Sequence, residues 1–104
     1  DRSPIHMIRR IVKMEFRAGA AEQFEALFQS TAPHIRAQEG CQHLELLREE
    51  GGSSVYFTFS IWQDQAALQA YRESELFART WKKTKALFDD KPMAWSTQQL
   101  EVHP

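Results

Sequence analysis

Few side chains in this sequence can move a proton or grip a flat molecule, and those that can are His34, His43, Tyr56, Trp62, Tyr71 and Trp81. An imidazole titrates near neutrality, so His43 or His34 is the candidate base for taking an acidic C–H or O–H proton. Tyr71 can donate a hydrogen bond to a phenolate or quinone oxygen as negative charge develops there. Trp62 can stack on an aromatic ring or donate its N–H to a carbonyl, and Tyr56 and Trp81 are further aromatic walls. Each also has a structural reading. Trp62 can seal a corner, Tyr71 can pack its ring and wet its hydroxyl, Trp81 can sit in the core, and His34 can interact with the end of a helix dipole. Cys41 and His43 lie two residues apart on one face of an expected strand, with Glu45 two further on. A lone cysteine is a small buried hydrophobe unless a neighbour activates it.

Other chemistries find no residues to perform them. The four histidines are scattered, without an HxH or HxxxH pair, and there is one cysteine, so neither a metal site nor an internal disulfide is expected. Gly51-Gly52 reads as a hairpin turn and not as a phosphate loop. The formal net charge is −1, with acidic and basic residues interleaved, which argues against nucleic acid as a partner. No apolar run approaches the roughly 20 residues that span a bilayer, so no membrane partner is expected. The lack of disulfides and of a signal peptide fits a cytoplasmic protein.

Positioning these residues falls to a single small domain. The chain of 104 residues leaves no room for a second one, and its three Trp and seven Phe demand a large core, an apolar surface or a pocket. Residues 1–6 read as a leader or tag remnant ahead of a domain spanning 7–104, so His6 and His103, near the two ends, are discounted.

Period-two alternation of Val12, Met14 and Phe16 predicts a strand from Ile8 to Phe16. Phe24, Leu27, Phe28, Thr31 and Ile35 recur at helical spacing and predict a helix from Ala20 to about Arg36, kinked or restarted at Pro33. Gly40 stops it. Cys41 to Glu49 and Val55 to Trp62 read as two strands joined by the Gly51-Gly52 turn. The latter carries an apolar face of Val55, Phe57, Phe59 and Ile61 and an amphipathic face of Tyr56, Thr58, Ser60 and Trp62, so both faces should be covered. Asp64 and Ser74 cap two successive helical pieces, the second ending at Asp89-Asp90-Lys91-Pro92. Met93 to Val102 reads as a last strand. The order β-α-β-β-α-β predicts an α+β, ferredoxin-like domain: a four-stranded antiparallel sheet with two helices on one face. The simplest cover for the bare face is a second copy, giving a homodimer.

With that order, Glu39-Gly40-Cys41, Ile61-Trp62, Asp64-x-x-Ala67-Leu68-x-x-Tyr71 and Ser74-Glu75-Leu76-Phe77 make the chain resemble the antibiotic biosynthesis monooxygenase family of dimeric α+β barrels, from about Met7 to Leu100. The resemblance implies a ligand cavity between helices and sheet. It also implies a cofactor-free reaction of dioxygen with a small electron-rich aromatic such as a quinol or an anthrone, with Trp62, Tyr71, Tyr56 and Trp81 around the substrate and His43 or His34 as base. A haem-degrading branch of the family carries a Trp, a His and an Asn where this chain has Tyr71, Trp81 and, near the Asn position, Val12, and haem iron needs an axial ligand. That activity is therefore not expected. Two alternatives stay open, a non-catalytic small-ligand-binding barrel and a non-oxidative isomerase using the same pocket.

Overall fold

Main-chain hydrogen bonding pairs β1 (Ile8–Glu15), β2 (Cys41–Arg48), β3 (Val55–Trp62) and β4 (Met93–Thr97) into one antiparallel sheet of order β2-β3-β1-β4. The structure, a computed structural model, describes residues 6–104, so the leader expected over residues 1–6 lies, except for His6, outside the described residues. Helices α1 (Ala21–Arg36), α2 (Gln65–Arg72) and α3 (Glu75–Lys85) complete the element order. The expected ferredoxin-like α+β topology is present, its second helical layer divided in two by Glu73 and Ser74.

The division is written in the caps. The Asp64 carboxylate accepts the Ala67 N–H at 2.8 Å and the Ser74 hydroxyl oxygen accepts the Phe77 N–H at 3.1 Å, so each piece begins with an otherwise orphaned donor satisfied. Gly40 adopts φ +85°, and its backbone lies so close to α2 that a Cβ there would sit 2.5 Å from the Ala67 Cβ. The Gly40 carbonyl also accepts the Gln63 N–H at 2.7 Å, tying the entry of β2 to the exit of β3.

The elements differ from the sequence expectation in several places. α1 runs through Pro33 to Arg36 without a break; Pro33 is exposed, so water can serve the carbonyl that loses its donor. β2 stops at Arg48, whose side chain turns into the hairpin and donates to the Ser53 carbonyl at 2.8 Å. α3 ends at Lys85, before Asp89, because the following backbone is captured by the end of β1: Arg17 N–H donates to Leu87 O, Asp89 N–H donates to Glu15 O, and Phe88 bridges Phe16. β4 ends at Thr97 and not at Val102. Its partner β1 begins at Ile8, one residue before the Arg9–Thr97 pair, so the ladder runs out.

The sheet sorts its side chains by face. Tyr56, Ser60 and Trp62 of β3 and Met14 of β1 point under the helices and are buried. There the core forms two clusters. Met14, Phe16, Ala20, Ala21, Phe24 and Tyr56 make one, and Ile35, Cys41, Trp62 and Leu68 make the other. On the opposite face, cross-strand partners line up as Trp95–Ile11–Phe59–Glu45 and Met93–Lys13–Phe57–Leu47. Trp95, Met93 and Leu47 remain 45%, 49% and 46% exposed there, so the apolar face of β3 is only half covered within one chain.

Candidate functional site

Between the two core clusters, under the helices, lies a cavity of about 290 Å³. That is close to the lower end of small-molecule pockets, roughly 300–1,000 Å³. The first cluster and its neighbours contribute Val12, Met14, Phe24 and Phe28, and the second contributes Ile35, Leu44, Leu68 and Trp62. Helices α2 and α3 close the remaining side with Tyr71, Phe77 and Trp81.

An unbroken run of aromatic contacts forms this wall. Trp62 stacks on Tyr71 at 5.0 Å between ring centroids, and Tyr71 meets Phe77 edge-on at 5.2 Å. Phe77 lies nearly parallel to Trp81 at 5.9 Å, and Trp81 meets Phe88 at 5.5 Å. Spacing explains the run. Tyr71 lies in the last turn of α2, Phe77 and Trp81 are four apart on α3, and Trp62 is the last residue of β3, so strand end and helices converge on one corner. Trp62 is 1% exposed, and its indole N–H donates to the buried Ser60 hydroxyl at 3.0 Å. That bond occupies the Trp62 donor inside the protein, so its ring and not its N–H is what it offers to the cavity.

Tyr71 is differently placed. Burial pushes its hydroxyl up to about 12, with a smaller contribution from the nearby Cys41, and no protein hydrogen bond contributes to the shift. Across the physiological range it is a protonated donor and not a base. Thr58, Ser60, Thr80 and Thr84 add neutral polar groups, and among the described residues the charged ones on the wall are Arg10 and Arg72. No histidine, aspartate or glutamate among the described residues lines this cavity. Among the described residues no group of three or more His, Cys, Asp and Glu comes together to hold a metal ion.

Of the residues singled out in the sequence, Trp62, Tyr71 and Trp81 therefore come together on one wall, and the others do not. Tyr56 is on the helix-facing side of β3, but its ring packs edge-on against Phe16 and Phe24 in the first core cluster. Its hydroxyl reaches the Glu25 carboxylate, and burial followed by that hydrogen bond raises it to about 12. It faces a separate open groove between α1 and β2, lined also by Glu25, Arg36 and Arg48.

His34 is exposed in a third groove, between α1 and α3, with Leu76, Arg79 and Lys83. His43 is on the other side of the sheet. A β-bulge between Cys41 and His43 pairs Cys41 with Trp62 but His43 with Ile61. Neighbours two apart in a regular strand share a face; the extra residue reverses that relation here. The His43 ring meets Phe59 edge-on at 5.7 Å, and its Nε2 lies 2.5 Å from the Glu45 carboxylate on the open face. His43 and Glu45 are therefore partners, but outside the cavity. Cys41 is buried, and burial raises its thiol above the ordinary value, which favours the inert packing role.

Sequence reasoning missed Arg10 and Arg72. Arg10 occupies the same strand face as Val12 and Met14, and that period-two position is the signal that could have found it. Arg72 closes α2 directly after Tyr71, where sequence alone reads it as a solvated helix charge.

The arrangement is a small, mostly apolar slot with one aromatic wall, one phenol donor and two guanidinium groups. No helix is long and apolar enough to cross a membrane, among the described residues. Comparison with solved structures finds the same fold in proteins of low sequence identity. SnoaB, a cofactor-independent oxygenase from Streptomyces nogalater, superposes with a TM-score of 0.85 at 21% identity, over 95% of this chain and 98% of that one. A conserved protein from Methanosarcina mazei gives 0.86 at 17% identity over 91% and 94%. A Pseudomonas aeruginosa protein gives 0.81 at 22% over 97% and 100%. No curated protein sequence matches the chain. The family model described as antibiotic biosynthesis monooxygenase matches residues 7–83, which covers β1 through most of α3 and the wall residues Trp62, Tyr71, Phe77 and Trp81, and the chain belongs to that family.

Proposed function

We propose that this protein is a homodimeric monooxygenase that oxidises a small, planar, electron-rich aromatic with dioxygen and without a cofactor. The observation that carries the reading is the aromatic slot of Trp62, Tyr71, Phe77 and Trp81 between the two core clusters. It is supported by membership of a monooxygenase family and by the same fold in SnoaB, described as a cofactor-independent oxygenase.

The reaction needs no external reductant if the substrate supplies the electrons. An anthrone-type CH₂ that becomes a carbonyl gives up four electrons to one O₂; one oxygen atom stays in the product and the other leaves as water. Trp62 and Trp81 flank the ring system, and Tyr71 donates to the oxygen that gathers negative charge in the enolate. The apolar lining excludes water and holds substrate and dioxygen together. With His34 and His43 outside the cavity, the substrate proton is released to water at the mouth, and the protein contributes by stabilising the anion. Cytoplasmic residence, expected from the sequence, is consistent with such a role.

The half-covered sheet face is assigned to a second copy. Trp95, Ile11 and Phe59 form one continuous apolar row, flanked by Met93, Phe57 and Leu47. Sheet-to-sheet packing about a two-fold axis would cover both copies at once. His43 and Glu45 belong to that face and act there as interface residues.

A specific feature also favours a binding-only protein: among the described residues, no titratable base lines the cavity. The same feature disfavours the isomerase, which must move a proton between two substrate atoms. Oxygen uptake separates the two surviving readings. Purified protein, stripped of metal, is given a panel of quinols and anthrones with autoxidation subtracted. Uptake that saturates with substrate and scales with protein establishes the oxygenase; saturable binding of the same compounds with no uptake establishes the binding protein.

A further inference from the structure

We propose that the ligand of this cavity carries an anionic oxygen group, a carboxylate or an ionised phenol or enol, held between Arg10 and Arg72. The inference rests on the cavity being the functional site and adds the chemical class of what occupies it.

Arg10 is the anomalous residue. On β1 it shares the inward face with Ile8, Val12 and Met14, where an apolar side chain would complete the wall. A guanidinium there loses hydration and needs compensation. The compensation visible in the protein is small: Arg10 Nη1 donates to the Ser96 hydroxyl at 2.9 Å, a neutral acceptor. Among the described residues the ion pairs are His43–Glu45, Arg48–Glu25 and His103–Glu101, and neither Arg10 nor Arg72 takes part in one. Both arginines line the same cavity instead; burial lowers the Arg10 pKa, and the Arg72 charge lowers it further. Arginine remains charged at neutral pH in spite of such shifts, so the described walls of the slot carry two like charges and no counter-charge.

Arg72 alone has an ordinary explanation, since a cation in the last turn of α2 complements the helix dipole. Arg10 has none, and together they put two cations on the lining of one cavity beside an aromatic wall. The Tyr71 hydroxyl, held protonated, is a third donor from the residue next to Arg72. Guanidinium groups are the side chains best matched to a carboxylate or other oxyanion. The two cations also supply what the cavity otherwise lacks: an acidic hydroxyl bound there ionises more readily, because the charged form gains the attraction of both arginines. Substrate ionisation then follows from position and field, with no protein base.

The test is equilibrium binding of a matched pair, 2-naphthoate and 2-naphthamide, to the full chain at neutral pH, read by quenching of the tryptophan fluorescence and checked by calorimetry. The carboxylate should bind about 10-fold or more tighter than the amide, as expected for a charge-assisted hydrogen bond. Arg10→Met and Arg72→Gln should each erase most of that preference, read within each variant as the ratio of the carboxylate affinity to the amide affinity. Arg72 is exposed, so Arg72→Gln decides the matter if Arg10→Met does not fold. Equal affinities, a preference that survives Arg72→Gln, or no saturable binding of 2-naphthoate overturns the proposal. Because no turnover is involved, an absence of oxygen uptake alongside a retained anion preference rejects only the oxygenase reading.

Discussion

Gly40→Ala is the most revealing single substitution in this fold, because two independent costs meet at one atom. The residue holds φ +85°, and the Cβ of an L-residue in that left-handed region costs about 1–2 kcal/mol. The same Cβ would lie 2.5 Å from the Ala67 Cβ, a separation that side chains do not adopt. Relieving it means pushing α2 away from the sheet, an overpacking cost of about 1–3 kcal/mol. The sum is about 2–5 kcal/mol, and at about 4 °C per kcal/mol for a domain of this size the melting temperature should fall by about 10 °C or more. Urea unfolding measures the loss directly, and Ala67→Gly separates its parts. In the native background Ala67→Gly costs up to about 1 kcal/mol in helix propensity. In the Gly40→Ala background it opens the space the new methyl needs, so it should cost nothing or restore stability, a coupling of at least about 1 kcal/mol. The backbone cost stays in the double variant. A Gly40→Ala melting temperature within about 2 °C of the native value, or strictly additive effects of the two substitutions, would refute the close packing of β2 entry on α2.

Other expectations concern the site and its surroundings. Ser60→Ala removes the acceptor of the buried Trp62 indole N–H and should cost about 1–3 kcal/mol in chemical denaturation, more than the same substitution at a surface serine. Tyr71→Phe should lower kcat/KM in the oxygen-uptake assay several-fold, whereas His34→Ala and His43→Ala should leave it near the native value; a histidine variant that abolishes uptake with its oligomeric state intact would contradict the geometry. Trp95→Glu, on the open sheet face, should shift the sedimentation coefficient from dimer to monomer. Alkaline titration has a definite sign. Tyr56 and Tyr71 hold their protons to about 12 when folded, against 10.0 for an ordinary tyrosine. Between those values the unfolded chain binds fewer protons than the folded one, so stability is complete below about pH 10 and declines as pH rises toward 12. A flat stability profile across that window would refute the burial of these hydroxyls.

Much of the architecture can be read from local chemistry. The Asp64 and Ser74 caps and the alternation of β1 and β3 each depend on neighbours within a few residues, and each is found in place, whereas α1 ends at Arg36 with Ala37 as its cap and Gly40 serves the turn into β2 and not the helix stop. The aromatic corner is legible for the same reason, since Trp62, Tyr71 and Trp81 sit at or near element ends whose directions the topology dictates. What escapes such reading are features set by partners distant in sequence. The pattern of β4 continues to Val102, but its length is decided by where β1 begins, at the opposite end of the chain. Cys41 and His43 share a face under a strict strand period of two, and one inserted residue after Cys41 puts them on opposite faces. Arg10 is hidden by its type, since a charged residue in a half-buried strand reads as solvent-facing until its face is fixed by Trp95 and Phe59 on the other side.

The placement of the cavity between the two core clusters joins recognition to thermodynamic stability. Phe24 and Met14 on one side, Trp62 and Leu68 on the other, are sealed residues on opposite sides of that cavity. A molecule of the right shape there acts as a missing piece of hydrophobic core, and it binds only the folded chain. At a hundred times its dissociation constant it would add about 2.7 kcal/mol to unfolding, or about 10 °C to the melting midpoint of a domain this small. The thermal transition would thus report any molecule that occupies the cavity, and could rank extracts or compound sets before any reaction has been observed.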